Sequence, residues 1–136
     1  MRREQLSDEH RMALVTYRLE RARKTLEEAK YMRKGDFFNA AVNRLYYACY
    51  YAATALLLAR NIEANTHSGV KTMLSFHFVR TGLLSLEDGT TFSNLFDKRH
   101  SSDYEDFTFC DAALVDYLLP RSEDFVAAIE KLINQF

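Results

Sequence analysis

The chain has 136 residues, of which 48% are hydrophobic and 27% charged, and its formal net charge is −1. This length suits one domain, which we expect to span residues 1–136. Four glycines and one proline are too few for the turns of a many-stranded sheet, and the near-neutral charge is unlike that of a general DNA-binding protein. The composition favours long helices.

The charge is unevenly distributed along the chain. Residues 1–35 hold ten Lys and Arg against six Asp and Glu, whereas residues 101–136 hold two against eight. A basic amino-terminal helix could contact a phosphate backbone, although the whole chain is not basic. The imbalance therefore leaves nucleic-acid contact open without requiring it.

The first predicted helix begins near Ser7 or Asp8, either of which can cap its free amides, and ends at Gly35. Charged residues, among them Arg18 and Arg21, cover the sides of this helix that face away from its apolar stripe. The stripe recurs at spacings of three and four and consists of Val15, Leu19, Ala22, Leu26 and Ala29.

The second predicted helix, over about residues 37–60 with Asp36 as its cap, is apolar around its whole circumference. A helix of this kind must be covered on all sides. We expect it to be the central helix of a bundle and also to be covered in part by a second copy of the chain.

Three further helices follow a polar loop. They are predicted over residues 68–80, from Ser85 or Asp88 to a break at Ser101 and Ser102, and over residues 111–136. Gly82 should end the third helix, and Pro120 should kink the last one or mark a new start. The predicted fold class is all-α, an up-down bundle of about five helices.

The two cysteines and the amino terminus indicate a cytoplasmic protein. Cys49 and Cys110 have no partner at zinc or redox spacing, so we expect reduced, packed thiols. No apolar signal segment follows the charged amino terminus, and the longest uncharged run, residues 45–59, is too short to span a bilayer. We expect no metal, no cofactor and no membrane contact.

The second predicted helix carries a stripe of hydrogen-bonding groups. Asn43, Tyr47, Tyr50 and Thr54 follow one another at helical spacing, with Arg44, Tyr46 and Tyr51 beside them. The simpler interpretation is that the tyrosine rings fill the bundle and their hydroxyls reach solvent or backbone. The alternative is a polar seam that faces a cluster of polar residues farther along the chain.

That cluster is RHSSDY, residues 99–104, at the end of an apolar stripe formed by Phe92, Leu95 and Phe96. Burying charge is costly unless it is paired, so the cluster indicates a site or an interface. His67, at a predicted helix start, is better explained as a cap or a core hydrogen-bonding residue than as a ligand.

Four motifs in the same order resemble the HEPN superfamily, over about residues 10–133. They are NRLYYA at 43–48, THSGV at 66–70, FVRTGLL at 78–84 and RHSSDY at 99–104. The resemblance implies a helical bundle that commonly dimerises and is often encoded beside a small nucleotidyltransferase in toxin–antitoxin pairs. In active members, an Arg followed after four to six residues by a His forms a metal-independent ribonuclease site across the dimer interface.

Arg99 matches the arginine of this pattern, but positions 104–106 are Tyr104, Glu105 and Asp106, so the histidine is absent. Cleavage of RNA without a metal needs a base and an acid, and the hydroxyl of Tyr104 is a poor base at neutral pH. His100 could substitute, although adjacent helical residues point about 100° apart. The simpler role of His100 is interaction with a helix dipole, and that of Asp103 is a salt bridge or cap.

The candidate catalytic residues are therefore Arg99, His100 and Tyr104. The candidate binding or interface residues are Asn43, Arg44, Tyr47, Tyr51 and Asp103. The leading hypothesis is a homodimeric HEPN protein associated with RNA or nucleotide in a toxin–antitoxin or defence module, with a degenerate site. The alternatives are a non-catalytic partner of a small nucleotidyltransferase, which could also transfer a nucleotide to Tyr104, and an active metal-independent ribonuclease toxin.

Overall fold

The computed structural model describes the backbone of residues 7–104 and 110–136 and the side chains of residues 7–99 and 110–136. These residues form five α-helices and, directly after the third, a π-helical turn at Ser75–Val79. The helices are α1 at Asp8–Lys34, α2 at Phe38–Ala59, α3 at His67–Leu74, α4 at Leu86–Tyr104 and α5 at Ala112–Asn134. The described residues include no strand, and the all-α prediction is confirmed.

Four of the helices begin at a side chain that accepts a hydrogen bond from the amide three residues later. Such a cap satisfies one of the free amides of the first turn. The capping residues are Ser7 at 3.2 Å, Thr66 at 2.9 Å, Ser85 at 3.0 Å and Asp111 at 2.9 Å. The predicted starts near Ser7, Ser85 and Asp111 are confirmed.

The predicted cap of the second helix is wrong. Asp36 has a φ of 63°, in the left-handed region, and α2 starts two residues later without a side-chain cap. Gly35 ends α1 as predicted, and the chain then reverses so tightly that the amide of Phe37 donates to the carbonyl of Met32 at 2.8 Å. Aspartate tolerates the left-handed conformation better than most residues, which explains its place in this turn.

Two other predicted boundaries differ from the structure. Helix α4 continues through Ser101 and Ser102 to Tyr104, because serine weakens a helix by only about 0.5 kcal/mol and does not stop it. The third helix is α-helical only to Leu74 and then widens into the π-helical turn. Helix α5 is continuous through Pro120, so of the two effects predicted for this proline the new start is excluded and the kink stays a prediction.

Helix α2 is the centre of the bundle and contacts α1, α3, α4 and α5. Its contact with α1 is the most extensive, because small side chains let the two backbones come close. Helices α4 and α5, which also contact α2, meet where the rings of Phe92 and Phe125 stack with centroids 5.6 Å apart. The buried alanines of α2 are Ala41, Ala48, Ala52, Ala53 and Ala55. The central place predicted for this helix is confirmed.

The uneven charge of the chain is partly neutralised where α1 packs beside α5. Three basic side chains of α1 form ion pairs with acidic side chains of α5. These pairs are Arg23 with Glu130 at 2.7 Å, Lys30 with Glu123 at 3.2 Å and Arg33 with Asp116 at 2.7 Å. No helix in the described parts of the chain is long and apolar enough to cross a membrane.

Candidate functional site

The tyrosines of α2 divide into a buried one and three that are half-buried. Tyr46 has no exposed surface, and its hydroxyl makes a 2.7 Å hydrogen bond with Nδ1 of His67. The ring of Tyr50 stacks on the His67 ring at a centroid distance of 4.3 Å. His67 therefore has the structural role that the sequence predicts, as a hydrogen-bonding residue that joins α3 to α2.

Arg99 of α4 lies against Tyr47 of α2. Its Nη2 donates a hydrogen bond of 3.1 Å to the Tyr47 hydroxyl, and its Cζ lies 5.5 Å from the centroid of the Tyr47 ring. The aromatic face and the hydroxyl hold one guanidinium in place. The structure thus brings together the predicted polar stripe of α2 and the arginine of the predicted cluster.

Arg44 lies on the same tyrosine. Its Cζ is 5.3 Å from the Tyr47 centroid, and its Nη2 donates to Oδ1 of Asn43 at 2.8 Å. Its Nη1 is 3.5 Å from a carboxylate oxygen of Glu28 in α1. Four predicted site residues, Asn43, Arg44, Tyr47 and Arg99, are therefore neighbours, and two of them are cations that share one aromatic ring.

Two arginines of α1 extend this group and were not among the predicted site residues. The Cζ of Arg21 lies 5.4 Å from the ring centroid of Tyr51, and Nη1 of Arg18 donates to the backbone carbonyl of Thr54 at 3.3 Å. The only sequence signal for them is that they lie three residues apart on one side of a basic helix. That signal does not distinguish them from the other surface cations of α1.

The remaining predicted residues, His100, Asp103 and Tyr104, belong to the last turns of α4. Their side chains lie outside the described residues. The backbone places Tyr104 five residues after Arg99 in the same helix, whereas His100 is its direct neighbour. The roles predicted for these three side chains stay predictions.

Neither cysteine belongs to this site. Both are buried and free, as predicted, and burial raises the pKa of the Cys49 thiol to about 12. A thiol that holds its proton so firmly is a weak nucleophile and a weak metal ligand at neutral pH. The described residues also contain no group of three or more His, Cys, Asp or Glu side chains arranged to hold a metal ion.

The arrangement around Tyr47 is suited to binding an anion. A guanidinium can form two parallel hydrogen bonds to a phosphate, and a ring that fixes its position lowers the entropy lost on binding. One cation of this group, Arg44, is partly neutralised by Glu28.

Known proteins with similar sequences carry the names "UPF0332 protein" and "Putative toxin". A "UPF0332 protein" of Thermotoga maritima is 37% identical over 121 residues, which cover 89% of this chain and 92% of that protein. "Putative toxin MJ0142" of Methanocaldococcus jannaschii is 30% identical over 115 residues, covering 85% of this chain and 78% of its own length.

The fold is also similar to that of a solved protein. The crystal structure of ST0689, an archaeal HEPN homologue, superposes with a TM-score of 0.72 and 17% sequence identity, over 88% of this chain and 97% of that one. The family model of the HEPN domain matches residues 15–132. The five-helix bundle, the predicted motifs and these matches lead to one conclusion, that the chain is a member of the HEPN domain family.

Proposed function

We propose that this protein is the RNA-associated HEPN component of a toxin–antitoxin module, and that Arg99 is its phosphate-binding residue. The observation that carries the proposal is the position of Arg99, held against Tyr47 by a hydrogen bond and by the face of the ring. Two relatives that are 30% identical and carry toxin names support the biological role.

The protein acts in this proposal as a homodimer. Arg99 lies on α4 beside the half-buried Tyr47 of α2. In this proposal a second copy packs against α4 on the other side of Arg99. It would bring two Arg99 side chains to one interface, could supply His100 across it, and would leave Tyr47 and Tyr51 open to RNA. Light scattering at low micromolar concentration should then give twice the chain mass, and a strict monomer would contradict the dimer.

The expected histidine is missing from positions 104–106, so RNA binding is the primary activity in this proposal and cleavage is secondary. An arginine can stabilise a phosphate that gains negative charge, but it cannot take up the proton of the 2′-hydroxyl at neutral pH. Cleavage would therefore depend on His100 or Tyr104.

A direct experiment compares the wild type with Arg99→Gln in binding to a labelled single-stranded oligouridylate. We expect the variant to bind at least about tenfold more weakly, because it loses charge-assisted hydrogen bonds to phosphate. Arg121→Gln is the matched control, since the Cζ of Arg121 lies 3.7 Å from the Tyr117 ring centroid in α5, outside the proposed site. Equal affinity of the wild type and Arg99→Gln would reject the assignment of Arg99.

The wild type and Arg99→Gln also distinguish two alternative functions, an active ribonuclease and a non-catalytic partner of a nucleotidyltransferase. An active ribonuclease would shorten the oligonucleotide in the presence of a chelator, and Arg99→Gln would lose that activity. A non-catalytic partner of a nucleotidyltransferase would leave the oligonucleotide intact and would co-purify with that enzyme when both are expressed together. The absent histidine favours the second outcome over the first.

A further inference from the structure

We propose that Arg18 and Arg21 of α1, together with Tyr51 of α2, form a second phosphate-binding subsite that extends the Arg99 site along a single RNA strand. This inference rests on the proposed function, because it takes the ligand of Arg99 to be RNA. It adds a helix, α1, that none of the predicted site residues belongs to.

The geometry is a row in which two neighbouring tyrosines of α2 lie between an arginine of α4 and an arginine of α1. Arg99 lies 5.5 Å from the Tyr47 ring centroid, the rings of Tyr47 and Tyr51 are 6.4 Å apart, and Arg21 lies 5.4 Å from the Tyr51 ring centroid. Arg18 is fixed beside this row by its hydrogen bond to the carbonyl of Thr54. Cations therefore stand at both ends of a tyrosine pair.

The two arginines of this subsite differ from the cations of α1 that face α5. Arg23, Lys30 and Arg33 form ion pairs with carboxylates of α5, whereas no carboxylate among the described residues lies within ion-pair distance of Arg18 or Arg21. A hydrogen bond to Tyr51 and, to a smaller extent, the charge of Glu28 raise the pKa of Arg21. Burial lowers the pKa of Arg18, which means that its charge is partly desolvated. A bound anion would compensate this cost, which a neutral carbonyl partner offsets only in part.

A single nucleic-acid strand fits this row better than an acidic protein segment does. Grooves that bind single strands combine cations that follow the phosphates with aromatic side chains against which bases stack. Arginine adds to both functions, since its planar group binds phosphate bidentately and also stacks. An acidic segment would use the arginines but would have no particular need for the half-buried tyrosines between them.

The experiment measures binding of a labelled oligouridylate of about 12 nucleotides, at salt concentrations from about 50 to about 200 mM. The double variant Arg18→Gln/Arg21→Gln should bind at least about tenfold more weakly. The slope of log affinity against log salt should be smaller by about 1.4, because each lost phosphate contact on a single strand removes about 0.7.

Two controls accompany this variant: one removes a different cation of α1, and the other keeps both positive charges at positions 18 and 21. Arg23→Gln removes one cation of α1 that pairs with Glu130 on the other flank, and its affinity should stay within about twofold of wild type with an unchanged salt slope. Arg18→Lys/Arg21→Lys should keep most of the salt slope, because the charges remain. Thermal unfolding of each variant checks that it is folded.

Each outcome has a separate meaning. If the wild type binds and Arg99→Gln weakens binding, but the double glutamine variant binds like wild type, the second subsite is rejected and the proposed function stands. If the wild type does not bind the oligonucleotide, both are rejected. If polyglutamate displaces the RNA as well as unlabelled oligouridylate does at equal charge concentration, the row is a general polyanion surface and the RNA subsite is rejected.

Discussion

Arg99 and Tyr47 lie 52 positions apart in the chain, and their side chains meet through a 3.1 Å hydrogen bond that joins α4 to α2. The tyrosine makes two contributions to this contact. Its hydroxyl accepts the hydrogen bond, and its ring supports the cation. The two contributions can be separated by mutation.

Replacing Tyr47 by Phe should weaken binding of oligouridylate by about threefold to tenfold, because the ring remains and only the hydroxyl that accepts from Arg99 is lost. Tyr47→Leu should weaken binding more, since it also removes the ring. Tyr117→Phe is the control, because Arg121 donates to the backbone carbonyl of Tyr117 and not to its hydroxyl. Equal affinities for Tyr47→Phe and wild type would mean that the hydroxyl does not position Arg99.

A second prediction concerns the hydrogen bond between the buried Tyr46 and the partly buried His67. Tyr46→Phe should lower the free energy of unfolding by about 1–3 kcal/mol, as measured by urea denaturation, because Nδ1 of His67 loses this buried partner. Tyr31→Phe, at a side chain that is 74% exposed, should change it by less than about 0.5 kcal/mol. Equal effects of the two substitutions would contradict the structural role assigned to His67.

The protein should lose stability as the pH rises above about 8.5. Burial raises the pKa of Cys49 to about 12 and also raises that of Tyr46, so the folded chain keeps protons that the unfolded chain releases. The stabilisation that the protonated Cys49 thiol gives the folded chain is fully present below the thiol pKa of the unfolded chain. It is lost progressively as the pH rises toward 12.

For Cys49 alone, the expected fall in the free energy of unfolding is about 1.5 kcal/mol between about pH 8.5 and pH 10. Urea unfolding at several pH values in this range should show that the free energy of unfolding falls less steeply with pH for Cys49→Ala than for the wild type. A loss of packing in the variant lowers this free energy at every pH and does not change the slope. A decline of the same steepness in both proteins would show that the thiol does not contribute.

The stacked rings of Phe92 and Phe125 give a prediction about the core. Phe125→Ala should lower the free energy of unfolding by about 3–5 kcal/mol, because it leaves a cavity between α4 and α5. Phe76→Ala removes a ring that is 52% exposed and should cost about 1 kcal/mol or less. Urea denaturation measures both values, and a small loss for Phe125→Ala would contradict the packing described for this end of the bundle.

The sequence predicted the features of the fold that depend on local interactions. The starts at Ser7, Ser85 and Asp111 follow from a side chain and an amide three residues away, and the ends of α2 were predicted to within a residue. The cap at Asp36 was predicted wrongly, because the tight turn imposes a left-handed backbone there that helix-capping rules do not anticipate.

The candidate site could be predicted only in part, because its contacts join distant segments. The polar stripe of α2 and Arg99 were identified from spacing and from the resemblance to HEPN proteins, and the structure places them together. Arg18 and Arg21 could not be separated from the other cations of α1. Only the packing of α1 between α5 and α2 determines which of its cations face carboxylates and which face tyrosines.

The most direct test of the central claim is the affinity of the wild type, Arg99→Gln and Arg121→Gln for labelled single-stranded oligouridylate, measured side by side on proteins shown to be folded. The account predicts equal affinity for the wild type and Arg121→Gln, and at least about tenfold weaker binding by Arg99→Gln. Equal affinity of Arg99→Gln and the wild type, or no binding by the wild type, would contradict the claim that Arg99 is the phosphate-binding residue.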